Sequence, residues 1–433
     1  MSQQGPSLTC TIKAINNQFC HATINIPSPY IDAIYNEVSA AQQSKVSTYG
    51  FSQGKTPMGY IQEYYKSNII EHIIEFLFKY FVINFLYDEL HASKLYSSTE
   101  PRLYDIFVEP HHDAIFHFEI SLSQAIEFQE WKHFLFKAPK RKNYKDIDRQ
   151  VESFIKEEQE RAKEHDHTKV CLGDWVCFDL QLLNCSKKPL MGIYQKNLWL
   201  KIGNEEADSP FQELLLDKVI GDILITDAQC LQEYFSHKVD TMYLFGLTIC
   251  EVVPDQYFCF DDFKHHFRLK TNKEIHQKLI EIFSYRNDIS QRRGIVEEAL
   301  KLLISKHHIE APNYMVLRQQ KLVLESVQNN PDYQVYKTQR NFKDTIRLLA
   351  TKQVKEMLLI DQLTHKENLS ISNRDVKGYL NLIKRARTKE FIYFNPPPTK
   401  VDGQEMPIPA ALFKRNCLRE KTLNHIIYHL TRK

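Results

Sequence analysis

Glycine is scarce in this sequence, with 12 in 433 residues. A phosphate-binding P-loop needs four residues between its glycines so that backbone amides wrap a phosphate. Gly50-x3-Gly54-Lys55-Thr56 is one residue short, and the QQSKVST before it is too polar for the buried strand such a loop springs from. No nucleotide site is expected, nor any other cofactor. Long apolar runs are missing too. The greasiest, FLFKYFVINFLY from Phe76 to Tyr87, holds Lys79 and Asn84 and is too short to cross a bilayer, so it reads as a buried helix. The 9 cysteines include no Cys-x-x-Cys, and Cys171 and Cys177 stand too isolated for a zinc site. Free thiols in a reducing compartment are expected. No basic segment leading into an apolar one opens the sequence, so a secretory signal is not expected and a cytoplasmic location is.

What is present suits a globular protein: 43% hydrophobic and 25% charged residues, in a length that allows two to four domains. A net charge of +2 conceals an asymmetry. Lys+Arg against Asp+Glu is 7 to 14 in residues 1–130, 17 to 20 in 131–253 and 32 to 20 in 254–433, giving −7, −3 and +12. The basic region reads as an RNA-binding arm or as solvated helix faces. Its charges spread through helical patterns rather than clustering with aromatics, which favours the second. Paired histidines (His111-His112, His165-x-His167, His265-His266, His307-His308) raise a metal reading. Neighbours on a helix point about 100° apart, and no acidic or cysteine partner recurs at ligand spacing. Surface histidines and no metal are expected.

Periodicity organises the chain. LTCTIKAI and QFCHATINI flank Asn16-Asn17 as a hairpin. Ser28 as N-cap and Pro29 in the first turn open a helix to about Lys45, and a glycine loop presenting Phe51 leads into a long helix from Met58 to about His91. AIFHFEISL, Ala114 to Leu122, alternates as a half-buried strand. A basic linker and a polar helix follow, then the β-like runs WVCFDL, NLWLKI, DILIT and TMYLFGLTICEV. From Asp261 onward helices dominate, among them RGIVEEALKLLISKHH, a partner from Asn313 to Val327, and one capped by Ser372-x-x-Asp375. The expected fold is multidomain α+β: an N-terminal α+β domain at 7–137, a linker at 138–167, a β-rich domain at 168–253 and an all-α domain with helical arms at 254–433.

This order resembles the trigger factor family, bacterial chaperones that meet nascent chains at the ribosome. Gly50, Phe51, Gly54 and Pro57 stand where the family has its G-F-R-x-G-x-x-P loop, between PSPYIDAIYNEV and MGYIQEYYKSNIIEHII, which also look like family segments. GDWVCFDL resembles the first strand of an FKBP-type prolyl isomerase domain. EEALKLLISKHHIEAPNYMVLRQQ and VKEMLLIDQLTHKENLSISNRDV are similar to the two helical arms.

The resemblance implies ATP-independent holding and folding of new polypeptides near the exit tunnel, with an exit-tunnel protein, rRNA and unfolded chains as partners. It also implies no membrane partner and a weak homodimer when free. The docking loop is Gly50, Phe51, Ser52, Gln53, Gly54, Lys55 and Pro57, with Ser52 where the family has arginine. Losing a charge-assisted contact costs about 2–5 kcal/mol, a weakening of roughly 100-fold or more. Leu180, Phe211, Tyr234 and Phe245 fall in the implied isomerase pocket, where desolvation would favour the twisted amide. Leu214 and Asp217 replace glycines, and Leu180 replaces an aromatic. Whether the enzyme survives is left open. Client-binding candidates are Ile304, Tyr314, Met315, Leu322, Leu358, Ile360, Leu412 and Phe413, most of them within arm cores. Isomerisation as the main output, an off-ribosome holdase and an RNA-binding protein are the alternatives.

Overall fold

The structure, a computed structural model, describes residues 8–16, 19–93, 95, 101–122, 125–140, 146–164, 169–184, 186–237, 239, 243–286 and 289–432. Asn17, the pair His165 and His167, and the middle of the basic linker lie outside the described residues. Strands β1 (Thr9–Ala14) and β2 (Phe19–Ile26) form the hairpin, Ala14 opposite Cys20. Asn16 Oδ1 accepts from the Phe19 amide at 2.9 Å, closing the turn.

Helix α1 (Ser28–Lys45) starts one residue earlier than expected, with Pro27 at the N-cap. Ser28 does not cap with its own side chain; its amide donates to Asp113 Oδ1 at 2.9 Å. The long second helix is broken into α2 (Met58–Tyr64), α3 (Lys66–Leu77), a π-helical turn (Phe78–Val82) and α4 (Ile83–Ala92). Tyr65 leaves helical geometry at φ −101°, ψ 12°, yet its amide still reaches Ile61 O and its carbonyl still accepts from Ile69. The result is a kink rather than a stop.

Strands β3 (Arg102–Phe107) and β4 (Ala114–Ser121) complete an antiparallel sheet ordered β1-β2-β4-β3. The alternation read from the sequence holds. Phe116, Phe118 and Ile120 are fully buried on one face, in the core that also holds Ile73 and Leu77 of α3, with the Phe78 ring 6.4 Å from the Phe118 ring.

Helix α5 (Ile147–Glu164) bridges to a second sheet made of β5 (Trp175–Leu183), β6 (Pro189–Lys201), β7 (Ile223–Thr226) and β8 (Leu244–Val253), with α6 (Ser209–Leu215) and α7 (Gln229–Phe235) beside it. Its order is β6-β5-β8-β7, all antiparallel. Both faces are covered. Val176, Phe178, Leu180 and Leu182 join the N-terminal core, whereas Trp175, Cys177 and Trp199 join a core built by the C-terminal helices. A strand buried on both sides reads as a near-continuous apolar run, and WVCF is one.

The C-terminal helices are α8 (Phe260–Phe267), α9 (Asn272–Phe283), α10 (Gln291–Lys306), α11 (Asn313–Gln328), α12 (Tyr333–Lys337), α13 (Phe342–Lys366), α14 (Asn373–Ile383) and α15 (Ala410–Thr431). Ser372 caps α14 as expected, with Asp375 in a reciprocal capping box. α11 and α13 form an antiparallel hairpin whose seam holds Met315, Val323, Ile346 and Ala350. The chain after its three prolines returns to the second sheet, where Ile408 exchanges backbone hydrogen bonds with Trp199 at 3.1 and 2.8 Å and covers the β6 edge.

Two of the histidine pairs are not surface features. His266 is buried with Nε2 2.9 Å from Asn424 Nδ2, and His307 is buried with Nδ1 2.7 Å from Leu303 O. On α8 successive ring directions diverge, so His266 turns inward beside His265; His307 follows the end of α10 in extended geometry and folds back on Leu303. His111 and His308 stay exposed.

Candidate functional site

The glycine loop is built by three constraints. α1 ends at Val46 in extended geometry, Pro57 fixes the entry to α2, and Thr56 is buried between them. Thr48 Oγ1 lies 2.8 Å from Thr56 Oγ1, and Gln43 Nε2 donates to Thr56 O at 2.6 Å. Gly50 (φ 86°) and Gly54 (φ 75°) occupy the left-handed region that side chains resist. The amides of Phe51 and Lys55 close two tight turns onto Thr48 O and Ser52 O.

The product is an outward platform. Phe51, Ser52, Gln53, Gly54, Lys55 and Pro57 are all exposed, and Tyr49, Tyr60 and Tyr64 stand exposed beside them in sequence. Tyr60 and Tyr64 stack at 5.4 Å, an aromatic neighbour of the loop that the sequence reading did not single out. A stacked pair on an i, i+4 helix face would have been the signal.

The four isomerase-pocket candidates all lie inside one closed core shared with the N-terminal module. Leu180 and Phe245 are fully buried, Phe211 is 2% and Tyr234 8% exposed. Phe235 stacks on Phe245 at 5.6 Å and is met from the N-terminal module by Phe76 (5.1 Å) and Tyr80 (5.6 Å). The Tyr80 hydroxyl donates to Leu180 O at 3.2 Å and accepts from the Leu182 amide at 3.0 Å. Lys79 Nζ donates to Tyr234 O at 3.0 Å, and Gln195 Nε2 donates to Lys79 O at 3.1 Å. His72 Nε2 lies 2.8 Å from the Tyr243 hydroxyl, and burial holds this imidazole down to about 4. Burial likewise pushes the Tyr234 and Tyr243 phenols up. α3 (His72, Phe76) and the π-helical turn after it (Lys79, Tyr80) thus carry the side chains that fill this space, the π-helix being a turn type found often at functional positions.

The client-binding candidates separate by burial. Tyr314 and Leu322 are exposed, Ile304 and Leu412 are half-buried, and Met315, Leu358, Ile360 and Phe413 point into cores. Phe413 is a keystone, within 5.7 Å of both Trp175 and Tyr379 rings and 6.3 Å of Trp199. Exposed apolar side chains that the sequence reading missed lie on the same hairpin: Leu317, Val335, Tyr336, Leu348 and Leu349, with Leu348 70% exposed. Leu348-Leu349 was a usable signal, because adjacent leucines on a helix cannot both enter one seam.

Apolar side chains displayed along a helical hairpin are a surface of the kind that polypeptide-binding proteins of the chaperone class use. Residues 8–157 match the family model of bacterial trigger factor protein, and residues 271–390 match the model of the trigger factor C-terminus. The trigger factor of Geobacter metallireducens is 20% identical over 397 residues, covering 89% of this chain and 90% of that protein. That of Geobacter sp. (strain M21) is 22% identical, covering 86% and 87%, and that of Chlorobaculum tepidum 21%, covering 80% of each. A solved structure described as "Promiscuous Substrate Recognition in Folding and Assembly Activities of the Trigger Factor Chaperone" aligns with 97% of this chain and 100% of its own, at 12% identity and a TM-score of 0.35. The chain belongs to the trigger factor family.

Proposed function

We infer that this chain is a ribosome-associated chaperone of the trigger factor type, holding new polypeptides without ATP. The observation that carries the reading is the α11–α13 hairpin, where Leu317, Leu322, Val335 and Leu348 lie half or more exposed. Such contacts are individually weak and tolerant of sequence, which suits transient holding. Residues 7–137 form the ribosome-facing module, 168–253 the FKBP-like module and 254–433 the client-holding module. Docking runs through Phe51, set out by Gly50 and Gly54, onto an exit-tunnel protein and the rRNA around it. The chain works in the cytoplasm and pairs weakly with itself when free. Isomerisation ranks second, since Phe76 and Tyr80 stand against the core that holds Leu180, Tyr234 and Phe245.

Co-sedimentation with 70S ribosomes tests the docking. The wild type is expected in the pellet, and Phe51→Ala and Gly54→Ala are expected to lower the bound fraction. Alanine in the left-handed region costs about 1–2 kcal/mol, enough to reshape so short a loop. A wild type that never pellets would reject the docking.

A further inference from the structure

The hairpin of the client-holding module is basic as well as apolar. Residues 313–355 hold 8 Lys+Arg (Arg318, Lys321, Lys337, Arg340, Lys343, Arg347, Lys352, Lys355) against 3 acidic residues (Glu325, Asp332, Asp344), a net +5. Lys321, Arg340, Lys343 and Arg347 are exposed and make no ion pair among the described residues. Side chains four apart on a helix are neighbours. By that spacing Leu317 lies beside Lys321, Leu322 beside Arg318 and Leu348 beside Lys352. Each of these three exposed leucines therefore has a cation one turn away on its own helix. The first 130 residues carry −7 and residues 254–433 carry +12, so the positive sign belongs to the C-terminal region, the hairpin supplying +5 of it.

We propose that the hairpin selects unfolded segments in which apolar residues are flanked by Asp or Glu. The leucines take the apolar side chains, while Lys321, Lys343 and Arg347 take the carboxylates. Nucleic acid would call for stacking platforms, and of the seven exposed large apolar side chains here five are leucine or valine and two, Tyr314 and Tyr336, are aromatic. Solvent-exposed charges are screened over a Debye length of roughly 10 Å at 0.1 M salt, so the selectivity is salt-dependent while the apolar contribution is not.

The proposal rests on the client-holding reading above, and two peptide probes separate the two. Both are unstructured and share one Leu/Phe core; one is flanked by glutamates and the other by lysines. Binding to the full chain is followed by fluorescence anisotropy at low salt and at about 0.5 M salt. The glutamate-flanked peptide is expected to bind about tenfold tighter at low salt, which is about 1.4 kcal/mol, with the gap closing at high salt. The triple variant K321E/K343E/R347E is expected to reverse the order, and Leu317→Ser with Leu348→Ser to weaken both peptides alike. These positions are exposed, and unchanged circular dichroism melts confirm that the variants fold. Equal binding of the two peptides, or a preference for the lysine-flanked one, overturns the selectivity and leaves client holding intact. Failure to bind either peptide overturns both. A single-stranded RNA that binds tighter than the glutamate peptide and loses affinity in the triple variant also overturns the proposal, since the cations would then serve nucleic acid.

Discussion

His72 shows how a single side chain ties two modules together. It sits on α3 of the N-terminal module, fully buried, with Nε2 against the Tyr243 hydroxyl next to β8, and burial holds it down to about 4 from an ordinary 6.5. The native state therefore keeps the imidazole neutral where the unfolded chain would take up a proton. The stability this confers is full above pH 6.5 and is lost as pH falls toward 4. Between pH 7 and 5 the loss is about 2 kcal/mol. His266 and His425 are also held low by burial and act in the same direction, so the wild type alone cannot isolate one ring. The comparison is with His72→Phe, in urea unfolding at both pH values. The wild type is expected to lose about 2 kcal/mol more than the variant; parallel losses would mean that His72 does not titrate on unfolding.

At the level of elements, the π-helical turn Phe78–Val82, with α3 before it, carries the N-terminal module onto the second sheet. It meets β5 where the β5–β6 register slips, between Phe178/Leu180 and again between Gln181/Leu183. The Tyr80 hydroxyl satisfies Leu180 O and the Leu182 amide there. Tyr80→Phe keeps the ring and orphans both groups, so a destabilisation of about 1–3 kcal/mol is expected. Denaturant titration measures it, and hydrogen exchange at the Leu182 amide should speed up with it. An unchanged midpoint would show that water replaces the hydroxyl. None of this contact was legible in the sequence, although its ingredients were. Period-two alternation gave β4, and helical spacing with a Ser372 cap gave α14, because both signals are local. FLFKYFVINFLY announced a helix apolar all round, but not which surface would bury its second face. The same limit explains the arms. Periodicity locates Met315 and Leu348 on helices, and only the pairing of α11 with α13 decides that the first is seam and the second surface.

Across the whole molecule, the second sheet is a shared wall between the N-terminal core and the C-terminal helices. What fixes that wall to the helices is a buried ionic clasp. Glu158 of α5, 2% exposed, receives Arg385 at 2.9 and 3.1 Å, Arg161 at 2.8 Å and the Phe258 amide at 2.6 Å. Arg385 also donates to Asp255 O and Gln256 O, and Lys384 donates to Pro254 O and Tyr257 O. The loop after β8 is thereby gripped from α5 and from the end of α14. Burial among these groups lowers Lys384 to about 8. Modules that share walls unfold together, so calorimetry of the wild type is expected to give one transition with matching calorimetric and van't Hoff enthalpies. Glu158→Ala leaves the half-buried Arg385 guanidinium without its carboxylate and the Phe258 amide without its acceptor, which costs about 1–3 kcal/mol. Because that loss falls on the joint rather than on any one core, the variant is expected to show two resolved transitions. The lower one should be reported by Trp175 and Trp199, which face the C-terminal helices. Two transitions already in the wild type would mean that the shared wall does not couple the modules. A variant that melts lower but still in a single step would place the coupling in the apolar contacts around Phe413 instead of in the clasp.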